Sequence, residues 1–429
     1  MVGIRLVFHL LLIGSLVLIS CAAEEEEKKE ALKIGVILPL SGEEASFGED
    51  VITGLKMAED QINELGGILG KNVKLEICDD GTSPDGAKRC FDKLVSQGIK
   101  FIIGPATSSA IIRGICGGAE NKSCPAVVSN KVIIISPSAT SPLISELNDG
   151  GYIWRTPPSD ALQGKVLADY AYDDVGARKV SIIYRNDAYG AKLAEAFGEE
   201  FRKKGGETWT SVGYSEDKTV DFSSEVAELY KYGDPDGIVI ISFVDDGINL
   251  LKDLQTYITN TGKRKPYLFG VDGVKDKGIS SIGEFVKGMS GTAPKPSADD
   301  PDYKRFAEAY KSKFRSEPAS FLEHAYDAFF VVALGIEAVG EYNPEKVKEV
   351  LVNLTNGGEK VKPPASGGNW KDVVQKAKAG ADIDYKGVSG DVDFDQNGDV
   401  KGGVYEIWQI VDTKGVTEDF KEIKSVSLK

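Results

Sequence analysis

Histidine is nearly absent from this chain of 429 residues, which contains only His9 and His324. Histidine is the side chain most often used as a general base or metal ligand near neutral pH. The sequence therefore argues against an enzyme that uses histidine as a general base or as a metal ligand. Carboxylate chemistry remains open, because aspartate and glutamate together number 66.

Positive charge is scarce relative to negative charge. Lysine and arginine number 51 against 66 acidic residues, so the formal net charge is −15. Binding to nucleic acid needs clustered lysine and arginine that neutralise phosphates. The charge balance argues against a nucleic-acid partner and is typical of an exposed, soluble protein with an acidic surface.

Common catalytic and nucleotide-binding motifs are missing, since no GxSxG, HExxH or GxGxxG occurs. The segment "GGILGKN" (66–72) resembles a phosphate-binding loop, but Leu65 and Asn72 replace its first glycine and its hydroxyl residue. The segment "DFDQNG" (393–398) begins like a calcium loop, but Val404 stands where the bidentate glutamate belongs. We interpret both as turns, and we expect no metal and no cofactor.

Long apolar runs are missing after the first one, which spans residues 6–19 behind Arg5. Fourteen residues are few for a membrane span, which needs about 20. The following "LISC" resembles a bacterial lipobox. It implies a signal peptide over 1–20, lipidation of Cys21 and an acidic tether over 21–31, so that the protein would be anchored outside the cytoplasm. A plain cleaved signal or an uncleaved anchor is the alternative.

Four cysteines follow Cys21. An even number in an oxidising compartment favours disulfides. Cys78 with Cys90 and Cys116 with Cys124 would each close a short loop, although three connectivities are formally open. The 11 and 7 intervening residues do not match the spacing of zinc-binding cysteine pairs, so we expect two disulfides and no zinc site.

Short apolar runs alternate with amphipathic stretches along the chain. This alternation of strands and helices predicts an α/β protein with two doubly wound parallel-sheet lobes, the second beginning near Ser159. The predicted strands are 33–40, 73–80, 101–105, 131–137, 179–186, 237–243 and 265–273. The predicted helices are 48–67, 83–98, 190–206, 247–260, 301–318 and 321–340. We expect 356–385 to be a surface excursion and 390–410 to form two strands around a turn.

Three small polar loops follow predicted strands, at 104–110, 136–142 and 270–273. Ligands of doubly wound sheets bind beyond the carboxyl ends of the strands. The first two loops offer hydroxyls and free backbone N–H groups to an anion, and Asp272 in the third offers a carboxylate to an ammonium group. Together they meet the polar requirement of a zwitterionic amino acid. Taken singly, each loop is explained more readily as a helix cap or a turn than as a binding loop.

These loops lie within a longer resemblance. The segments "IGVILPLSGEEASFGEDVITGLKMAEDQINELGGILG", "FIIGPATSS", "IIISPSAT", "YIWRT", "IIYRNDAYG", "AYDAFF" and "GDVDFDQNGDV" resemble the type 1 periplasmic binding proteins, specifically the branched-chain amino acid binding proteins of ABC transporters. The match covers nearly all of 32–412 in order. It implies a three-segment hinge with crossings near 156–157, 293–294 and 388–389. One lobe would then comprise 32–157 plus 294–387, and the other 158–293 plus 388–429.

The resemblance also implies contacts to the ligand's charged groups. Ser108 and Thr140 would hold the α-carboxylate, and Asp272 would pair with the ammonium group in place of the glutamate of some members. Ser138 would offer its backbone carbonyl to the same ammonium group. Ala139, between Ser138 and Thr140, is expected to contact the ligand as well.

The remaining implied contacts are aromatic. Tyr189 would close over the ligand from the second lobe, and Phe47 stands where some members have tyrosine. Phe243 and Tyr326 are candidates for the side-chain pocket, although core packing of Tyr326 is nearly as well supported. We expect His324 to be a helix-surface residue without a role in binding.

The implied function is capture of an amino acid by hinge closure and delivery to a membrane permease. We expect a monomeric binding lipoprotein that is not an enzyme, with leucine, isoleucine and valine as the family's default ligands. A sensor or an amide- or urea-binding protein of the same fold is one alternative. A carboxylate-dependent hydrolase is another, but it needs a second positioned acid beside Asp272.

Overall fold

Two β-sheets with helices on both faces build the two lobes of the molecule. The structure, a computed structural model, describes residues 30–118, 122–416 and 419–428. Cys21, the predicted signal peptide and most of the predicted tether lie outside the described residues. Within the described ranges, no helix combines the length and the apolar character needed to cross a membrane.

The described residues form fourteen strands and twelve α-helices. The strands are β1 Leu32–Leu38, β2 Val73–Asp79, β3 Phe101–Ile103, β4 Ile133–Ser136, β5 Ile153–Arg155, β6 Lys179–Arg185, β7 Glu207–Tyr214, β8 Gly237–Ile241, β9 Tyr267–Gly270, β10 Ser290–Pro294, β11 Glu359–Val361, β12 Ile383–Tyr385, β13 Gly403–Ile410 and β14 Phe420–Leu428. The helices are α1 Ala45–Glu64, α2 Pro84–Ser96, α3 Pro125–Asn130, α4 Asp160–Asp169, α5 Gly190–Lys203, α6 Ser223–Leu229, α7 Val244–Thr261, α8 Lys277–Ser280, α9 Pro301–Phe314, α10 Leu322–Val339, α11 Pro344–Leu354 and α12 Trp370–Lys378.

Each lobe is organised around one sheet. The first sheet has the order β2-β1-β3-β4-β5 and is parallel throughout. The second has the order β14-β13-β10-β9-β8-β6-β7, parallel from β10 to β7 and antiparallel at β13 and β14. Strands β3, β4 and β8 are buried along their whole length, as expected when helices cover both faces. The predicted α/β architecture of two parallel-sheet lobes is confirmed.

Several helix starts follow from local sequence. Ser83 accepts a hydrogen bond from the Gly86 N–H at the start of α2, and a proline occupies the first helical position. Asp300 before α9 and Asn343 before α11 cap their helices in the same way. A polar N-cap followed by proline satisfies the free first-turn N–H groups and fixes the backbone angle.

Both predicted disulfides are present. Cys78 is bonded to Cys90, which ties the end of β2 to α2, and Cys116 is bonded to Cys124. Neither cysteine pair is available to a metal ion. Among the described residues there is no cluster of three histidine, cysteine, aspartate or glutamate side chains suited to metal binding.

The third crossing between the lobes differs from the expectation. The chain does not leave the first lobe at 388–389, because Val388, Val392 and Phe394 pack into its core. The Phe394 ring lies 5.0 Å from that of Trp154, and the Arg155 N–H donates to the Gly398 carbonyl over 3.0 Å. Alternating apolar side chains hold this segment on the first lobe, and the second sheet is re-entered only at β13.

Two further expectations for the C-terminal region need correction. The 356–385 segment is not a surface excursion, since it contains β11, β12 and α12 and buries Trp370 and Tyr385 in the first lobe. The 390–410 segment does not form a two-stranded hairpin, because before β13 it contributes only isolated bridges, between Phe394 and Val400 and between Asp391 and Lys386. Strand β13 pairs with β10 on one side and with β14 on the other. The exposed alternation of β14 gave a weaker signal than a buried strand.

Candidate ligand-binding site

A cavity lies between the lobes at the carboxyl ends of both sheets. The first lobe contributes the loops after β1, β3 and β4, and the second contributes those after β6, β8 and β9. This is where doubly wound sheets bind ligands. The lining residues are Glu44, Phe47, Asp50, Ala106, Thr107, Ser108, Ser138, Thr140, Tyr189, Phe243, Val244, Asp272, Gly273, Lys275, Asp276, Ala319, Ser320 and Phe321.

One corner of the cavity can donate hydrogen bonds to an anion. The Ser108 hydroxyl oxygen accepts from the Ser141 N–H over 3.1 Å, which leaves its own proton for a ligand. Thr140 is buried, and its backbone N–H has no acceptor among the described residues. A buried N–H without a protein partner is costly unless a ligand or water satisfies it. These groups suit a carboxylate.

Ser138 and Ala139 belong to the same loop but differ in their access to the cavity. The Ser138 hydroxyl donates to the Ala106 carbonyl over 2.8 Å, and its own carbonyl has no donor among the described residues. The Ala139 N–H donates to the Ser136 hydroxyl, and its carbonyl accepts from Arg155. Ala139 does not line the cavity. Its N–H and carbonyl are both used in hydrogen bonds that hold the loop in place.

Asp272 supplies the opposite charge. Its Oδ1 accepts hydrogen bonds from the Tyr189 hydroxyl over 2.9 Å and from Gln163 Nε2 over 2.6 Å. Among the described residues, no lysine or arginine lies within ion-pair distance of it. Burial raises the pKa of Asp272, although these hydrogen bonds oppose the shift. A cationic ligand group would replace the water that this carboxylate has lost.

A second buried carboxylate supports this arrangement from behind. Asp160 accepts a hydrogen bond from the Thr140 hydroxyl over 2.9 Å. Burial, and then the nearby charge of Asp272, raise the pKa of Asp160 well above its usual range. Asp160 does not line the cavity, so we assign it to positioning Thr140.

Aromatic side chains form the apolar walls. The rings of Tyr189 and Phe243 stack with centroids 5.5 Å apart, and those of Phe47 and Phe321 meet edge to face at 6.0 Å. The structure thus brings Phe47, Tyr189 and Phe243 to the cavity, as the resemblance implies. Phe321 was missed as a lining residue because the sequence places it at the first position of the predicted helix 321–340. In the structure it is the N-cap residue of α10, in a left-handed backbone conformation.

Tyr326 and His324 lie elsewhere than expected. Tyr326 is fully buried, donates its hydroxyl proton to Gln61 and packs against Phe306 and Phe330, so it is a core residue outside the cavity. His324 is also buried rather than on the helix surface, with Nδ1 3.1 Å from the Thr156 carbonyl. Helix α10 is buried on nearly every side, so its sequence carries no clear exposed face.

Several polar lining residues were not anticipated. Glu44 and Asp50 flank Phe47 at a spacing of three along the start of α1, and Lys275 and Asp276 follow Asp272 in the next turn. The spacing of three was a usable signal, since it places side chains on one helix face. Gln163, which contacts Asp272 from α4, had no sequence signal because the two residues are 109 positions apart.

Contacts across the cavity mouth hold the lobes together. The Arg185 guanidinium pairs with Glu43 over 2.9 Å, and the Ser141 hydroxyl donates to the Ala188 carbonyl over 2.6 Å. Ser109 donates to the Asp187 carboxylate over 3.3 Å. The structure is therefore in a closed arrangement, with residues of both lobes facing one enclosed space.

Sequence comparisons agree with this architecture. The sequence model of the periplasmic binding protein family matches residues 31–398. The chain is 28% identical over 326 residues to a leucine-, isoleucine-, valine-, threonine- and alanine-binding protein of Pseudomonas aeruginosa, covering 75% of this chain and 82% of that one. It is 30% identical over 332 residues to a Leu/Ile/Val-binding protein of Rhizobium johnstonii, covering 76% and 84%.

Solved structures share the fold at lower identity. A leucine-binding protein of Thermotoga maritima superposes with a TM-score of 0.74 at 24% identity, covering 92% of this chain and 99% of that one. A Rhodopseudomonas palustris solute-binding protein in complex with benzoate gives 0.70 at 18%, covering 93% and 95%. The chain therefore belongs to the type 1 periplasmic binding proteins, in the family of the branched-chain amino acid binding proteins.

Proposed function

We propose that this protein is an extracytoplasmic solute-binding lipoprotein that captures an α-amino acid by closure of its two lobes. It then delivers the amino acid to the permease of an ABC transporter. The protein acts as a monomer, without a cofactor and without catalysing a reaction. Ser108 and the Thr140 N–H hold the α-carboxylate, while Asp272 and the Ser138 carbonyl hold the ammonium group.

The observation that carries the proposal is the pairing of opposite polar ends in one cavity. Among the described residues, the Thr140 N–H has no acceptor and Asp272 has no lysine or arginine within ion-pair distance. An anionic group would satisfy the first, and a cationic group would compensate the second. An α-amino acid carries both on adjacent atoms. Charge-assisted hydrogen bonds of this kind contribute about 1.5–3 kcal/mol each.

Ligand chemistry varies within the fold, so the fold alone does not choose the ligand. Curated relatives bind leucine, isoleucine and valine, whereas a structural neighbour is in complex with benzoate. Benzoate has a carboxylate but no ammonium group, and it would leave Asp272 buried and unpaired. Asp272 thus favours a zwitterion over an aromatic acid. A sensory or amide-binding role has no observation of its own in its favour.

Calorimetric titration tests the proposal directly. Purified protein, stripped of bound ligand by unfolding and refolding, is titrated with the twenty amino acids. The best ligand is then compared with the carboxylic acid that has the same carbon skeleton but lacks the amino group. We expect micromolar or tighter binding of the amino acid and at least tenfold weaker binding of the deaminated acid. Asp272→Asn should remove most of that difference.

The opposite results would be equally informative. Equal binding of the amino acid and its deaminated analogue would contradict the role of Asp272. Absence of binding by any amino acid would contradict the proposed function. Tyr310→Phe is a suitable control, because that hydroxyl bonds Thr53 within the first lobe and lies outside the cavity lining.

The lipid anchor is proposed from Cys21 alone and needs its own test. Expression in a bacterial host should give a protein that partitions with membranes and carries a diacylglycerol modification detectable by intact mass. Cys21→Ser should shift the protein to the soluble extracytoplasmic fraction without changing its ligand affinity. Unchanged membrane partition of that variant would instead support an uncleaved anchor.

A further inference from the structure

The wall of the cavity contains more negative charge than the α-ammonium group of one ligand can balance. Besides Asp272, the carboxylates of Glu44, Asp50 and Asp276 line it. Among the described residues, none of these four is within ion-pair distance of a lysine or arginine. Asp276 accepts a 2.6 Å hydrogen bond from the Gly278 N–H as the N-cap of α8, but no cation pairs with it. An aliphatic ligand side chain would cover Glu44, Asp50 and Asp276 without supplying a positive charge, and that burial is costly.

Glu44 is the most deeply buried of the three. It is 6% exposed and stands immediately before α1, with Phe47 and Asp50 on the same helix face. Its Oε1 accepts only a long hydrogen bond of 3.5 Å from the Val244 N–H. Burial, together with the nearby carboxylates Asp246 and Asp276, raises the pKa of Glu44 well above its usual range. The side chain is thus a poorly compensated carboxylate on the cavity surface.

The cations around the cavity are already engaged. Lys275 lines it but is paired with Glu406 and donates to Ser320 over 3.4 Å. Lys277 is exposed and forms no ion pair with Asp50. Burial raises the pKa of Asp50, and the positive charge of Lys277 opposes that shift from a distance.

Arg185 is the other cation close to Glu44. Its guanidinium is shared among the carboxylates of Glu43, Asp187 and Asp246, at 2.9, 3.4 and 3.3 Å. Three carboxylates already outnumber this one positive charge. The protein therefore leaves the negative charge on the cavity wall for a ligand to neutralise.

We propose that the ligand is an amino acid whose side chain ends in a positive charge, with Glu44 as its main partner and Asp50 and Asp276 close by. This inference rests on the proposed function, which places the α-amino and α-carboxyl groups at Asp272 and Thr140. The rings of Phe47 and Phe321 cover the aliphatic part of such a side chain. The face of Phe47 also attracts a cation.

A purely structural role for Glu44 makes a different prediction. In the closed arrangement its carboxylate approaches the N-terminus of α7, where the helix dipole favours negative charge. If Glu44 only fastened the lobes, its removal would weaken closure and lower the affinity of every ligand by the same factor. A charge-selecting role lowers the affinity of cationic ligands alone.

Matched ligand pairs separate charge from size. Lysine and norleucine share a four-carbon stem and differ in the terminal ammonium group, and arginine and citrulline differ in a guanidinium against a urea group. By calorimetry at pH 7.5, we expect the wild-type protein to bind each cationic member at least tenfold more tightly than its neutral partner. This comparison uses only the wild-type protein, so it tests the preference for a cationic side chain even if a substituted protein fails to fold.

The variant Glu44→Gln should lower the affinity for lysine and arginine at least tenfold and change that for norleucine and citrulline less than threefold. Glu43→Gln is the matched control, because Glu43 is the adjacent glutamate and bridges the lobes through Arg185 without lining this cavity. It should weaken all four ligands by a similar factor.

The outcomes distinguish this inference from the function on which it rests. Tighter binding of norleucine or leucine than of lysine would overturn the inference and leave amino acid capture intact. An equal loss for all ligands in Glu44→Gln would also overturn it and assign Glu44 to closure. Binding of none of the amino acids would defeat the proposed function itself.

Discussion

At the scale of single residues, the site depends on carboxylates that have been removed from water. Asp160 is fully buried beside the half-buried Asp272, and burial raises the pKa of both. The Tyr189 hydroxyl and Gln163 amide keep Asp272 in the orientation in which it faces the cavity. We therefore expect the residues behind Asp272 to affect ligand affinity through its orientation.

Tyr189→Phe tests this support. The substitution removes the 2.9 Å hydrogen bond to Asp272 but retains the ring that stacks on Phe243. Loss of one hydrogen bond to a charged group should cost about 1.5 kcal/mol, or about tenfold in affinity. In an Asp272→Asn background the same substitution should cost much less, because the charged acceptor is gone. Equal losses in both backgrounds would contradict the coupling.

His324 gives a pH-dependent prediction for stability. Burial lowers its pKa to about 3, whereas an unfolded histidine takes up a proton near pH 6.5. The folded state then binds fewer protons below pH 6.5, so the free energy of unfolding falls as the pH drops through that range. At pH 5 the loss from this residue is about 2 kcal/mol.

Urea unfolding of the wild-type protein and of His324→Asn at pH 7 and pH 5 measures this loss. The asparagine amide can still donate to the Thr156 carbonyl. Burial raises the pKa of Asp327 to about 6 and of Glu323 to about 7, so these residues oppose the trend and only the difference between the two proteins is informative. A loss of stability between pH 7 and pH 5 that is the same in both proteins would contradict the assignment.

At the scale of elements, the start of α1 carries Glu44, Phe47 and Asp50 into the cavity. Gly48 allows this placement, because a Cβ atom there would lie 2.1 Å from the Pro39 carbonyl oxygen in the loop after β1. Helix α1 can thus approach that loop closely enough to line the cavity. Cavity shape at this point is decided by a backbone contact.

Gly48→Ala should therefore destabilise the protein although alanine is the better helix former. The gain from helix propensity is about 1 kcal/mol, whereas forcing an atom into a packed site costs about 1–3 kcal/mol and moves the backbone. We expect a lower urea midpoint and at least threefold weaker amino acid binding. Gly198→Ala in α5 is the control, since its nearest neighbour is the movable end of Arg202, and it should be neutral or stabilising.

At the scale of the whole molecule, the proposed function depends on an equilibrium between open and closed lobes. The contacts of Arg185 with Glu43, and of Ser141 with the Ala188 carbonyl, form only when the lobes are together. A ligand that touches both lobes shifts the population toward this state. Each interlobe hydrogen bond lost should change the closed population by about fivefold, corresponding to about 1 kcal/mol.

Small-angle X-ray scattering should show this closure. The ligand-free protein should have a larger radius of gyration than the protein saturated with its amino acid. Ser141→Ala should enlarge the ligand-free form, reach the same compact radius at saturation, and bind every ligand about fivefold more weakly. A radius that does not change with ligand would contradict hinge closure.

Much of the fold was predictable because its signals are local. The apolar runs of β1, β3, β4 and β8 are buried on both faces, so their sequences are continuous and easy to recognise. Capping residues fixed the start of α2 close to its expected position. The antiparallel edge strand β14 was missed, since its half-exposed pattern resembles that of a surface loop.

The sequence by itself determined the two α/β lobes and the three polar loops that face the cavity, and it favoured the two disulfide pairings that the structure has. These features were predictable because each depends on residues close together in the chain: a continuous apolar run for a buried strand, two nearby cysteines for a disulfide, and the residues that follow a strand for a loop. Only the tertiary structure decided that 388–400 packs on the first lobe, that Tyr326 and His324 are core residues, and that Glu44, Asp50 and Asp276 meet in one cavity. Those facts depend on contacts between residues as far apart as 265 positions, as for Tyr326 and Gln61. No local pattern encodes which distant carboxylates will share the same low-dielectric space.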